Sequence, residues 1–88
     1  TLRLCRLGRA SLMGANLAGA DFSQANMIEA DLRNANLEGT NLENAFFLEA
    51  NLHGTIFKNA NLKDAYFVDA NTSKIIIEGA NLENTILG

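Results

Sequence analysis

Ala30-Asp31-Leu32-Arg33-Asn34-Ala35-Asn36-Leu37-Glu38-Gly39-Thr40-Asn41-Leu42-Glu43-Asn44-Ala45 (residues 30–45) repeats a small–polar–large apolar triplet every five residues. Stepping outward from Leu32 by five collects Leu7, Leu12, Leu17, Phe22 and Met27 before it. After it come Leu37, Leu42, Phe47, Leu52, Phe57, Leu62, Phe67, Thr72, Ile77, Leu82 and Leu87, and Leu2 opens the series. Seventeen of these 18 centres are apolar. Two residues before each centre lies Ala, Thr or Cys at 16 of 17 positions, from Cys5 to Thr85. No insertion breaks the register.

This period excludes the regular elements. In an α-helix of about 100° per residue, successive centres step about 140° around the axis, so no apolar stripe forms. A strand alternates with period two and fails equally. What fits is a coil in which each pentapeptide makes one short side and turns a corner. Centres and the small residues point inward, and the other three positions point out.

The runs Ala15-Asn16-Leu17, Ala20-Asp21-Phe22, Ala30-Asp31-Leu32 and Ala60-Asn61-Leu62 resemble the A(D/N)LXX motif of the pentapeptide-repeat family. The resemblance covers roughly residues 5–87. It implies an all-β fold, a right-handed quadrilateral parallel β-helix with 20 residues per turn. On that reading 1–88 is a single domain of about four coils, with 1–4 an irregular edge. Neighbouring strands about 4.8 Å apart would make a rod about 20 Å long. Positions 20 apart should then stack. The columns Glu43, Lys63, Glu83 and Glu38, Lys58, Glu78 alternate in charge, as neighbouring strands prefer. Thr72 with Ile75 inverts the large–small pair and reads as local repacking, with a bulge as the alternative.

Composition narrows the function. Net charge is −3 with no basic face, which argues against nucleic acid or an anionic membrane as partner. No apolar run approaches the ~18 residues of a membrane span, and no signal peptide stands at the start. The single cysteine, Cys5, fits a reducing compartment and a small inward position, so the cytoplasm is the expected setting, with lumen or periplasm as alternatives.

His53 projects outward between Arg33 and Ser73 in its column. With Asp31 and Asn51 nearby it assembles neither a metal set nor a nucleophile–base pair. The stacked Glu29, Glu49 and Asp69 read as a solvated corner rather than a cation site. Gly14, Gly19, Gly39, Gly54 and Gly79 recur at the second position after the centre and serve turns, not phosphate binding. Asn71-Thr72-Ser73 matches a glycosylation acceptor, but Thr72 lies in the core series and the match reads as accidental. No catalytic residue, cofactor, metal or small-molecule substrate is expected.

The side centred on Leu7, Met27, Phe47, Phe67 and Leu87 is the informative surface. Its outward columns read Arg6, Asn26, Phe46, Tyr66, Ile86 and Gly8, Ile28, Leu48, Val68, Gly88. Ile28, Phe46, Leu48, Tyr66, Val68 and Ile86 therefore form a continuous apolar patch, which soluble monomers rarely display. Ile56 and Ile76 replace the usual Asn or Asp on what reads as a neighbouring side. The sequence thus points to a non-enzymatic structural or protein-interaction module whose partner is a protein, with a homodimer favoured. The family resemblance also implies a bacterial, often cyanobacterial, source. It offers an alternative, a DNA mimic that binds DNA gyrase and confers quinolone resistance. About 20 Å of duplex carries roughly 12 negative charges, far more than this chain. A third reading is a piece of a larger multidomain protein.

Overall fold

The structure, a computed structural model, describes residues 7–86. The expectations for Leu2, Cys5, Arg6, Leu87 and Gly88 lie outside the described residues. The described chain winds into a right-handed quadrilateral β-helix. Every β-bridge is parallel and joins residues 20 apart, from Ser11 with Asp31 to Tyr66 with Ile86. Each pentapeptide contributes one bridge residue, the one before its centre. Continuous strands do not form, because the turn takes up the rest of the repeat.

Four sides follow in chain order, named by their centres: side 1 (Leu7, Met27, Phe47, Phe67), side 2 (Leu12, Leu32, Leu52, Thr72), side 3 (Leu17, Leu37, Phe57, Ile77) and side 4 (Phe22, Leu42, Leu62, Leu82). The overall extents are 27 × 25 × 21 Å. The molecule is a block nearly as wide as it is long, rather than a slender rod.

The backbone hydrogen bonds explain the five-residue motif. Take the pentapeptide around Leu37. The Asn36 N–H donates back to Ala15 O (2.8 Å), and the Leu37 N–H donates forward to Ile56 O (2.8 Å). The Gly39 N–H donates forward to Lys58 O (2.9 Å), and the Thr40 N–H closes the turn on Leu37 O (3.2 Å). One N–H of the five, that of Glu38, is left over, and the Asn36 side chain takes it with Oδ1 at 3.0 Å. Asn16, Asp21, Asn26, Asp31, Asn41, Asn51, Asn61, Asn71 and Asn81 do the same for the residue two ahead. The Asn or Asp before the centre is thus the acceptor for the one amide the ladder cannot serve.

The corners are equally regular. Every second residue after a centre, from Arg9 to Asn84, has positive φ, between 56° and 74°. One positive φ at the third of four residues is the type II turn pattern, which suits Gly and Asn. At Gly54 and Gly79 a side chain would also meet the Oδ1 of Asn34 and Asn59 one coil back, whereas Gly39 faces open space.

Inside, centres and small residues fill the two middle coils completely. Phe22, Met27, Leu32, Leu37, Leu42, Phe47, Leu52, Phe57, Leu62 and Phe67 are all buried. The Phe47 and Phe67 rings stack at 4.8 Å with planes 3° apart, and Phe57 meets both edge-on at 6.0 Å. The ring spacing matches the ~4.8 Å separation of neighbouring strands, as stacked coils require. The buried hydroxyls of Thr40 and Thr55 donate to Leu37 O and Leu32 O, each at 2.7 Å. Thr55 thereby ties its coil to the one before.

The ends differ from the sequence expectation of a uniform core. Leu7, Leu12 and Leu17 are only partly buried. Ile77 and Leu82, expected as core centres, are 39% and 37% exposed, because no coil follows them among the described residues. Thr72 and Ile75 are both partly buried. Their turn bond stretches to 3.4 Å, yet the bridges Asn51 with Asn71 and Ile56 with Ile76 keep the 20-residue spacing. The inverted pair is absorbed by repacking and no bulge forms.

Two stability outcomes follow from the turn. Asn36→Ala should lower the free energy of unfolding by about 1 kcal/mol in denaturant titrations, whereas Asn36→Asp, which keeps the acceptor, should not. Gly39→Ala isolates the cost of a side chain at positive φ, about 1–2 kcal/mol. Gly54→Ala should cost more, and the excess should vanish in a double-mutant cycle with Asn34→Ala.

Candidate functional site

The ladder presents side 1 as a rigid surface. Phe46 donates its N–H to Ala25 O (3.0 Å) and accepts from Met27 N–H (2.8 Å); Tyr66 donates to Ala45 O (3.0 Å) and accepts from Phe47 N–H (2.7 Å). With both backbone groups fixed, the two rings stack outside the coil at 5.2 Å with planes 4° apart. Phe46 is 38% and Ile86 44% exposed. Ile28, Leu48, Tyr66 and Val68 are half-buried beside them. All six residues of the expected patch therefore share one side.

This surface has a local cost. Phe46 and Tyr66 stand where Asn or Asp would accept the Leu48 and Val68 N–H, the phenyl ring has no acceptor, and the Tyr66 hydroxyl sits at the far end of its ring from the backbone. Asn26, lower in the same column, keeps the bond to Ile28 N–H at 3.0 Å. A neutral intramolecular hydrogen bond contributes about 0.5–1.5 kcal/mol. Two are exchanged here for apolar display.

Ile56 and Ile76 also lack the acceptor, but they lie on side 3. That side is two pentapeptides along the coil from side 1, so it is the opposite side and not a neighbouring one. Ile76 is exposed near the last coil. The two isoleucines bridge one another and do not extend the side 1 patch.

The remaining candidates resolve into surface polar contacts. Arg33 grips Asp31 through two bonds, Nε to Oδ1 at 2.9 Å and Nη2 to Oδ2 at 2.7 Å. The guanidinium bonds, helped by the Arg33 backbone N–H, hold the Asp31 carboxyl below its ordinary range and raise the Arg33 guanidinium. Sequence reading named both residues only as neighbours of His53, because an i, i+2 ion pair needs the corner geometry to form.

His53 Nδ1 lies 2.7 Å from Ser73 Oγ, and Ser73 Oγ–H donates to Asn71 Oδ1 at 2.8 Å. Asn71 Oδ1 also accepts the Ser73 backbone N–H at 3.0 Å, which fixes the amide orientation. The direction of the His53–Ser73 bond follows the imidazole tautomer.

At the corner between sides 1 and 2, Arg9 pairs with Glu29 at 3.4 Å, both exposed, below Glu49 and Asp69. Among the described residues no group of His, Cys, Asp or Glu is placed to hold a metal ion, and no cleft opens on any side. The columns Glu43, Lys63, Glu83 and Glu38, Lys58, Glu78 stack through backbone bonds such as Asn44 N–H to Lys63 O at 3.0 Å. Their side chains form no ion pair among the described residues, since exposed pairs gain little over the entropy of fixing them.

A uniform 20-residue bridge register, an Asx acceptor in most repeats and a core of paired small and large residues define the architecture, and a family model agrees. The model for pentapeptide repeats matches residues 5–44, 35–73 and 45–84. The chain belongs to the pentapeptide repeat family. Solved pentapeptide repeat proteins resemble it closely. One from the cyanobacterium Cyanothece 51142 is 33% identical with a TM-score of 0.90, covering 94% of this chain and 57% of its own. One from Nostoc PCC 7120 is 32% identical with a TM-score of 0.77, covering 91% and 62%. A third, from the thylakoid lumen of Arabidopsis thaliana, is 30% identical with a TM-score of 0.58, covering 88% and 57%. This pentapeptide repeat chain thus spans less than two thirds of the length of each. Comparison with curated proteins finds no match.

The Arg33–Asp31 pair carries a pH signature. A carboxyl held below its ordinary range in the folded state stabilises the fold above that range and loses its contribution as pH falls through the lowered value. Asp31→Asn keeps the acceptor for Arg33 N–H and removes the ion pair. Its thermal midpoint should fall below wild type at pH 7, and the gap should close as pH drops from about 4.

Proposed function

We propose that this pentapeptide repeat chain is a non-enzymatic protein-interaction module that presents side 1 to a protein partner. The observation that carries the reading is the stacked Phe46–Tyr66 pair held outside the coil, flanked by Ile28, Leu48, Val68 and Ile86. Neighbouring columns keep Asn or Asp where this one has rings. The exchange lowers local stability in favour of surface chemistry, the pattern expected where function and fold compete. A stack of flat side chains on a rigid frame loses little conformational entropy on binding, which favours recognition by contact rather than by rearrangement. A net charge of −3 gives little support to duplex mimicry.

The fold itself offers a clean test. Phe46→Asn and Tyr66→Asn restore the residue type used elsewhere in the repeat and supply the missing acceptor. The variants should unfold at or above the wild-type temperature in dilute solution. Concentration-dependent association, followed by sedimentation velocity, should be lost in both. Association that persists unchanged in the double variant would overturn side 1 as the interaction face.

A further inference from the structure

The ladder has a direction, and it makes the two ends of the coil chemically different. In each pentapeptide two N–H groups donate to the following coil and one to the preceding coil, as at Leu37, Gly39 and Asn36. The last described coil therefore presents twice as many donors as acceptors. Among the described residues the N–H groups of Thr72, Lys74, Ile77, Gly79, Leu82 and Asn84 have no partner. Only the carbonyls of Ala70, Ile75 and Ala80 stand open beside them. The first coil shows the reverse on sides 2 and 3. There the carbonyls of Ser11, Met13, Asn16 and Ala18 are open, against the N–H groups of Ser11 and Asn16.

Side-chain charge is also divided between the ends. Residues 1–20 carry Arg3, Arg6 and Arg9 and no carboxylate, the first being Asp21. Residues 69–88 carry Asp69, Glu78 and Glu83 against one cation, Lys74. Apolar surface remains at both ends, since Ile77 and Leu82 are exposed and Leu12 and Leu17 are only partly buried.

We infer that copies of this chain stack end to end, the N-terminal coil of one on the C-terminal coil of the next, with their axes parallel. Two independent properties select this polarity. The donor-rich edge meets the acceptor-rich edge, so each side can repeat across the junction the three bonds it makes within the chain. Carboxylates at one end meet arginines at the other. Joining two C-terminal ends would set donors on donors and carboxylates on carboxylates, and joining two N-terminal ends would set carbonyls on carbonyls and arginines on arginines. Any quarter-turn between copies keeps the ladder, because the four sides share one backbone pattern. The contact is heterologous, so the stack does not close. Side 1 runs along the stack and stays uncovered, and the inference stands apart from its reading.

The test uses the whole chain carrying Phe46→Asn and Tyr66→Asn, which takes side 1 out of the measurement. At about 10 mM salt, where the Debye length is about 30 Å, sedimentation equilibrium should show a mass that grows with concentration beyond a dimer. At about 0.15 M salt, with a Debye length of about 8 Å, the same protein should be monomeric, which keeps the side 1 test separate. Added to this background, Arg3→Glu with Arg6→Glu should abolish stacking and leaves the Arg9–Glu29 pair in place. Glu78→Lys with Glu83→Lys, both on exposed residues, should abolish it equally. An equimolar mixture of the two variants should associate again, because opposite charges then meet at the junction. Stacking that survives in either variant alone would overturn the head-to-tail polarity. A parent that stays monomeric at low salt, or a mixture that does, would overturn end stacking while leaving side 1 untouched.

Discussion

A coil of five-residue sides must dispose of five amide protons per repeat, and its geometry provides carbonyls for only four. Two donate to the following coil, one to the preceding coil and one across the turn. The fifth has no carbonyl to reach, and the side chain two residues back supplies the acceptor. This single constraint sets the polar letter of the repeat. The apolar letters follow from the closed interior, and the corner letter follows from the positive φ that each turn demands. Changing any one of the three changes how well a coil closes, but not how many residues it holds.

Within such a frame, specialisation happens column by column. A residue that faces out at one height is repeated 20 positions later directly above it, so a surface is composed of vertical lines. Side 1 departs from the polar rule in one such line, Asn26 giving way to Phe46, Tyr66 and Ile86. The departure is coherent because the ladder holds each backbone fixed whatever the side chain does. The interior follows the same logic, with Phe47 and Phe67 stacked behind Phe46 and Tyr66. Two aromatic columns thus stand back to back across one stretch of backbone.

The sequence discloses most of this because the period is exact in register and long in extent. Centres, small positions and the side 1 patch follow from counting by five and twenty. Three features do not. The purpose of Asn and Asp was illegible because composition shows their place and not the orphan amide they serve. The Arg33–Asp31 grip depends on a corner bending an i, i+2 pair together. The exposure of Ile77 and Leu82 depends on what lies beyond them, which a repeat pattern treats as another identical turn. Counting also placed Ile56 and Ile76 beside side 1, when ten residues carry the chain half-way round to the far side.

The twenty-residue bridge register also fixes how such a chain can change length. Loss or gain of one pentapeptide keeps the backbone hydrogen-bond pattern and the inward place of each centre, yet it rotates all that follows by a quarter turn. Removing five residues between Phe46 and Tyr66 would move the tyrosine round the corner, breaking the outer aromatic line and the inner Phe47–Phe67 stack together while the coil itself still closes. Only whole turns conserve both. Length variation is therefore invisible to the backbone ladder in steps of five and to the side-chain columns only in steps of twenty. A change between those steps would let such a protein keep its scaffold while exchanging one recognition face for another.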